Sequence, residues 1–220
     1  MHGKWHDSSC WRWLADRLRD AGHQVVAPDL PLDDPATTYA DRARPATDAL
    51  VGTDGPLVVV AHSLATGYAP LVAEALAGTA LVYLCPAPVG PFARSGAPMR
   101  STRAGFEFPP ERPDGTSVWE PDAAIAAIYP RLPADTARQV AARLKPGASP
   151  SDAYPLEAQP SVPTTFVYAR HDEFFEPAWS QWVARNVAGL EPLELATGHF
   201  PMIEAPDSLA DLLMTTVSRA

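Results

Sequence analysis

Cysteine is scarce in this chain of 220 residues, and there is no excess of positive charge. Two cysteines, Cys10 and Cys85, cannot build a disulfide framework, and no Cys/His spacing fits a zinc site. Both read as small core residues. Seventeen basic residues stand against 26 acidic ones, a formal net charge of -9. That balance argues against a nucleic-acid partner and against an anionic membrane surface, because both would repel the chain. No apolar run reaches the 18 residues of a membrane span, and no segment reads as a signal peptide, so a cytoplasmic address is the expectation. Repeats, heptads and low-complexity tails are missing as well. Nothing in the pattern calls for a metal or a cofactor, and the oligomeric state stays open.

What is present is an ordinary globular composition, 46% hydrophobic and 20% charged, of a length that suits one domain. Strand-like apolar runs alternate with helical patterns, the mark of an α/β protein with a mostly parallel sheet flanked by helices. The strand-like runs are 23–27, 57–61, 79–84, 163–169 and 191–195. Helices are expected over 9–21, 64–77, 178–187 and 206–217. Proline is the one residue in clear surplus, at 25, and fifteen of these fall between Pro86 and Pro163. Proline removes backbone donors and breaks helices, so residues 86–162 read as an insertion within the single 1–220 domain, with helices only near 122–129 and 134–144. A cap over the site accounts for its aromatics better than a disordered linker, since Phe92, Phe106, Phe108 and Trp119 want burial.

The most informative stretch is Leu57-Val58-Val59-Val60-Ala61-His62-Ser63-Leu64-Ala65. Four strand formers run into a serine flanked by small residues, the setting of a nucleophile elbow, in which a strained turn exposes the hydroxyl above the sheet. The usual glycines two positions either side are alanines here, Ala61 and Ala65. A serine hydroxyl needs a base oriented by a third group. His199, between Gly198 and Pro201, follows the last strand-like run. Asp172 follows the run ending at Ala169, at the same sheet edge, with Glu173 and Glu176 as rivals for the acid role. The order Ser63, Asp172, His199 is that of the hydrolase triad. His6 and His171 read as structural or surface residues.

His2-Gly3, Trp11, Val25-Val26-Ala27-Pro28-Asp29-Leu30, Ser63, Asp172 and Gly198-His199-Phe200-Pro201-Met202-Ile203-Glu204-Ala205-Pro206 together resemble the α/β-hydrolase superfamily. The pattern is closest to its small-capped esterases, the branch similar to plant methyl esterases and hydroxynitrile lyases. The resemblance implies the α/β-hydrolase fold and a serine hydrolase acting on a small carboxylic ester through an acyl-enzyme. It implies Ser63 as nucleophile, His199 as base, Asp172 as orienting acid, and the amides of Lys4 and Leu64 as oxyanion hole. His2 is expected to be structural. Trp5, Phe92, Trp119, Phe174 and Phe200 are candidates for the substrate pocket. A thioesterase, a lactonase, a carbon–carbon lyase or a non-catalytic small-ligand binder are the alternatives. One departure stands out. The family implies a buried apolar strand leading into His-Gly, and here only Met1 precedes His2. Burying five such residues contributes on the order of 8–15 kcal/mol, so the expectation is a chain that starts late or a sheet that is open.

Overall fold

In the computed structural model, residues 1–53 and 55–217 are described. Four strands form one parallel sheet in the order β1 (Leu57–His62), β2 (Thr79–Leu84), β3 (Thr164–Ala169) and β4 (Leu193–Leu195). β2 is buried at every position, as a near-continuous apolar run between two parallel neighbours should be. Because all four strands are parallel, their carboxyl ends lie along one edge of the sheet, and the residues after each strand gather there.

The helices are α1 (Arg12–Asp20), α2 (Tyr39–Leu50), α3 (Ala69–Ala75), α4 (Pro121–Ile128), α5 (Ala134–Ala141), α6 (Pro177–Asn186), α7 (Pro201–Glu204) and α8 (Pro206–Val217). α3 packs on β1 and β2, α6 on β3, and α1 on α8. Residues 64–77, expected as a single helix, begin as a 3-10 turn over Ser63–Gly67 and become α-helical only at Ala69. α2 is the helix the sequence pattern did not announce. Pro45 lies inside it and five of its 12 positions are polar, which masks its period. Its start is nonetheless a complete capping box. The Thr38 hydroxyl accepts from the Asp41 N–H, and the Asp41 carboxylate accepts from the Thr38 N–H.

Residues 23–27, expected as a strand, have no regular secondary structure and join no ladder. Among the described residues, β1 ends the sheet and Met1 alone bonds to its outer side. The Met1 amino group donates to Val60 O (2.7 Å), and the His62 N–H donates to Met1 O (3.1 Å). Residues 23–28 and 57–60 face each other across the gap beyond it. The segment between β2 and β3 contributes no strand to the sheet. It carries α4 and α5; a bridge at Thr102–Phe175 ties it to the residues after β3, and one at Ser117–Gly147 lies within it.

Candidate active site

Ser63 sits at the carboxyl end of β1 with φ 53°, in the left-handed region that costs a non-glycine residue of order 1 kcal/mol or more. Neighbours hold the turn. The Thr66 hydroxyl donates to Ser63 O (2.7 Å), as does the Ala87 N–H (3.3 Å). Ala61 and Ala65 are fully buried, so the small flanks are needed even though they are not glycine. The chain at Gly3 passes directly beside the serine. A Cβ there would lie 2.9 Å from His62 Nδ1 and 3.0 Å from Ser63 Cβ, so only glycine permits this approach. The peptide that carries the Lys4 amide is thereby set next to the elbow.

Asp172 and His199 meet in the interior. His199 Nδ1 lies 2.8 Å from Asp172 Oδ2, with both side chains almost wholly buried. The other carboxylate oxygen accepts the N–H groups of Phe174 (2.8 Å) and Phe175 (2.9 Å), so the turn after β3 fixes the carboxylate from two sides. With the carboxylate as acceptor, Nδ1 carries the proton and Nε2 keeps its lone pair. Nε2 is buried and has no hydrogen-bond partner. The two rival acids are otherwise engaged. Glu173 accepts the backbone N–H of His199 (2.8 Å), and Glu176 accepts that of Ala104 (3.3 Å). Burial pushes the Glu173 carboxyl up. A Cβ at Gly198 would run into that carboxylate and push it off the His199 N–H.

Several positioning groups were not singled out by the sequence. His62 lies beside the serine in the chain, and its Nε2 lies 2.8 Å from His199 O, so the strand carrying Ser63 also holds the histidine's backbone. Burial, reinforced by the neighbouring His199, keeps His62 well below its ordinary pKa and therefore neutral. The Arg103 guanidinium donates to Asp172 O (2.8 Å). The signal for His62 was its place beside Ser63, and Arg103 had none, since it lies 69 residues from Asp172 in the chain.

His6 and His2 are both held by hydrogen bonds to neighbouring groups. His6 bridges Lys4 O (3.0 Å) and the Tyr129 hydroxyl (2.6 Å), and His2 Nε2 accepts the Leu30 N–H (2.9 Å). Burial holds both down to about 4.

Aromatic rings close over the histidine. Phe174 stacks on the His199 imidazole at 4.3 Å, and Phe200 meets it edge-on at 5.1 Å. Trp5, itself at φ 68°, contacts Phe174, Trp119 and Phe108, and Phe106 joins the same group. The Trp119 indole N–H is buried with no partner. Phe92 lies elsewhere, packed edge-on against Tyr83 and Phe166 over the sheet, so the structure does not bring it to the ring cluster around His199.

Among the described residues, Cys85, Asp172 and His199 offer ligand atoms within 4.8 Å of one another. They are a poor metal set. Nδ1 and the carboxylate are spent on each other, and burial pushes the Cys85 thiol well above its usual range.

A family model for the alpha/beta hydrolase family matches residues 1–212. Solved structures agree on the fold. A mutant of polyneuridine aldehyde esterase superposes with a TM-score of 0.78 at 19% identity, covering 97% of this chain and 96% of that one. A methylesterase from Arabidopsis gives 0.78 at 18%, covering 100% and 98%, and a pyrethroid hydrolase from Sphingobium faniae gives 0.74 at 17%, covering 99% and 95%. No curated protein sequence matches the chain. With nearly its whole length matched by the family model and the fold shared throughout, the chain belongs to the alpha/beta hydrolase family.

Proposed function

We propose that the protein is a serine hydrolase of small carboxylic esters, with Ser63 as nucleophile, His199 as base and Asp172 as its orienting acid. One observation carries this reading. His199 is bonded through Nδ1 to a fixed carboxylate while its buried Nε2 is left without a partner, and its backbone carbonyl is held by His62, the residue before Ser63 on its left-handed turn. A merely structural histidine would have both nitrogens satisfied, as His6 does.

In the reaction, Ser63 Oγ attacks the ester carbonyl as Nε2 takes its proton. Asp172 stabilises the imidazolium that forms. The amides of Lys4 and Leu64 receive the developing oxyanion, a contribution of several kcal/mol. Nε2 returns the proton to the departing alcohol, then activates water to release the acyl group. Residues 86–162 act as the cap. Their Phe106, Phe108 and Trp119, with Trp5, Phe174 and Phe200, give the substrate an apolar wall, and the free Trp119 N–H gives it one polar anchor. Similarity to esterases and to a pyrethroid hydrolase favours ester cleavage over the other reactions open to a triad.

The test is hydrolysis of a short-chain chromogenic ester by the wild type and by Ser63→Ala. We expect turnover in the first and a loss of at least about 10³-fold in the second. A folded wild type that binds ester without turning it over would move the protein to the non-catalytic ligand binders.

A further inference from the structure

The chain has two lysines, and they are placed very differently. Lys145 is exposed, with its ammonium 3.1 Å from the Asp7 carboxylate. Lys4 is half-buried and follows Gly3, where the chain passes Ser63. Among the described residues it forms no ion pair, and Glu111 acts on its charge only from beyond bonding distance. Burial lowers the pKa of this ammonium, against the pull of Glu111 and with the push of Arg42.

The surroundings dictate where the Lys4 side chain lies. A Cβ at Gly147 would fall 2.6 Å from Lys4 Cγ and 3.2 Å from Lys4 Cε, so the stem lies flat against the cap backbone there. Gly147 and Ser117 exchange N–H···O bonds of 2.8 and 2.9 Å, and Ser117 O accepts the Trp5 indole N–H (3.0 Å). One bridge therefore holds both the Lys4 stem and the Trp5 ring. The Lys4 ammonium ends 5.2 Å from the centre of that ring, a contact that offsets part of its desolvation without using its N–H groups. Trp119 meets the same ring edge-on at 6.0 Å, and its own indole N–H is buried without a partner. Trp5 also meets Phe174, which stacks on the His199 imidazole. Two donors without acceptors thus border one ring, and a single further ring separates it from the proposed base.

We propose that the Lys4 ammonium and the Trp119 N–H form a carboxylate-binding subsite, and that the esters cleaved at Ser63 carry a free carboxylate beyond an apolar body. The ester in this statement rests on the catalytic reading, while the carboxylate rests on Lys4 and Trp119. One ammonium and one neutral donor match a monoanion, whereas a phosphate dianion calls for more positive charge. The apolar body would lie along the aromatic wall between the two ends. Lys4 would then serve both, its amide facing the ester carbonyl and its side chain the carboxylate. The left-handed φ of 68° at Trp5 directly follows the residue with these two tasks.

The probes are methyl hydrogen esters of the straight-chain dicarboxylic acids from succinate to suberate, with methyl alkanoates of equal length as neutral counterparts. Acetates of ω-hydroxy acids, set against alkyl acetates, place the carboxylate on the alcohol and tell which side of the ester the subsite reads. At its best chain length, one carboxylate series should exceed its neutral counterpart by at least about tenfold in kcat/KM. Lys4→Met keeps the stem and the amide but removes the charge, and should bring that ratio down to about one. Lys4→Arg should retain most of it, whereas a packing role would be served better by Met. Trp119→Phe should lower it by about threefold. The ratio is the readout because a change at the Lys4 amide touches both esters alike. A wild-type ratio near one, or one that Lys4→Met leaves intact, would overturn the subsite. Calorimetric binding of the same compounds to Ser63→Ala separates the two readings. Carboxylate-dependent binding with no wild-type turnover would keep the subsite and remove the catalysis. Binding that ignores the carboxylate, or none at all, would remove the subsite whatever the turnover.

Discussion

At the scale of single residues, most of the site is made of backbone held in place by side chains. The Asp172 carboxylate accepts two amides with one oxygen and orients His199 with the other. This division separates structure from chemistry. Asn at 172 can keep an oxygen toward the Phe174 and Phe175 amides while presenting an amide N–H₂ to Nδ1, which forces the proton to Nε2 and removes the base. Asp172→Asn should therefore lower kcat by about 10⁴-fold with little change in Tm. Activity and melting measured on the same preparation check both halves, and a variant of near wild-type rate would remove Asp172 from the mechanism. Glu173 acts one step further out, through the His199 N–H. Its neighbour Gly198 is fixed by that contact, as Gly3 is by Ser63 and His62.

At the scale of elements, α2 and the 148–149 loop are joined by a buried arginine. Arg42, fully buried, donates to Thr37 Oγ1, the Tyr68 hydroxyl, Asp34 O, Ala148 O and Ser149 O. Its contacts are all neutral oxygens, fixed in a fork that a lysine cannot reproduce. Arg42→Met would leave the Ala148 carbonyl and the Tyr68 hydroxyl unmatched in the interior, costing at least about 2 kcal/mol at roughly 1–3 for each orphaned group. Urea unfolding should show a lower midpoint at unchanged slope, and Arg42→Lys should recover little of it. Neither α2 nor Arg42 was legible in the sequence. A proline inside a dodecamer with five polar positions hides the period, and a buried arginine looks like a surface one until its acceptors, a hundred residues away, are placed. What was legible had local causes. The runs 57–61 and 79–84 are strands because their apolar residues are continuous. The serine, the aspartate and the histidine are found after strands because a parallel sheet collects its loops at one edge. The run 23–27 misled because its composition describes a strand while pairing depends on a neighbour. Phe92 misled because aromatic character does not say which face of a sheet a ring will cover.

At the scale of the whole molecule, burial of bases links stability to pH. His2 and His6 are held to about 4, His62 is held well below its ordinary value, and the Met1 amino group is lowered to about 5, each chiefly by burial. All four are neutral in the fold, and all four take up protons more readily once unfolded. The unfolded chain therefore binds more protons, and stability rises with pH wherever these groups titrate. Above pH 8 the contribution is complete. From 8 to 6.5 only the Met1 amine weakens it. Below 6.5 the histidines join, each removing up to about 1.4 kcal/mol per pH unit until its folded value is reached. The net charge falls over the same interval, since the sequence pI is near 5.0, so the destabilised chain also loses the repulsion that keeps copies apart. Urea unfolding at pH 8, 6.5 and 5.5 should show a shallow loss in the first step and a steep one in the second. His6→Gln, which leaves the Lys4 and Tyr129 contacts a neutral partner, should flatten the second step by one group's share. A profile level from 8 to 5.5 would mean that these bases are solvated and that the interior around His62 and His199 is wet, which would also remove the dry surroundings the proposed triad relies on.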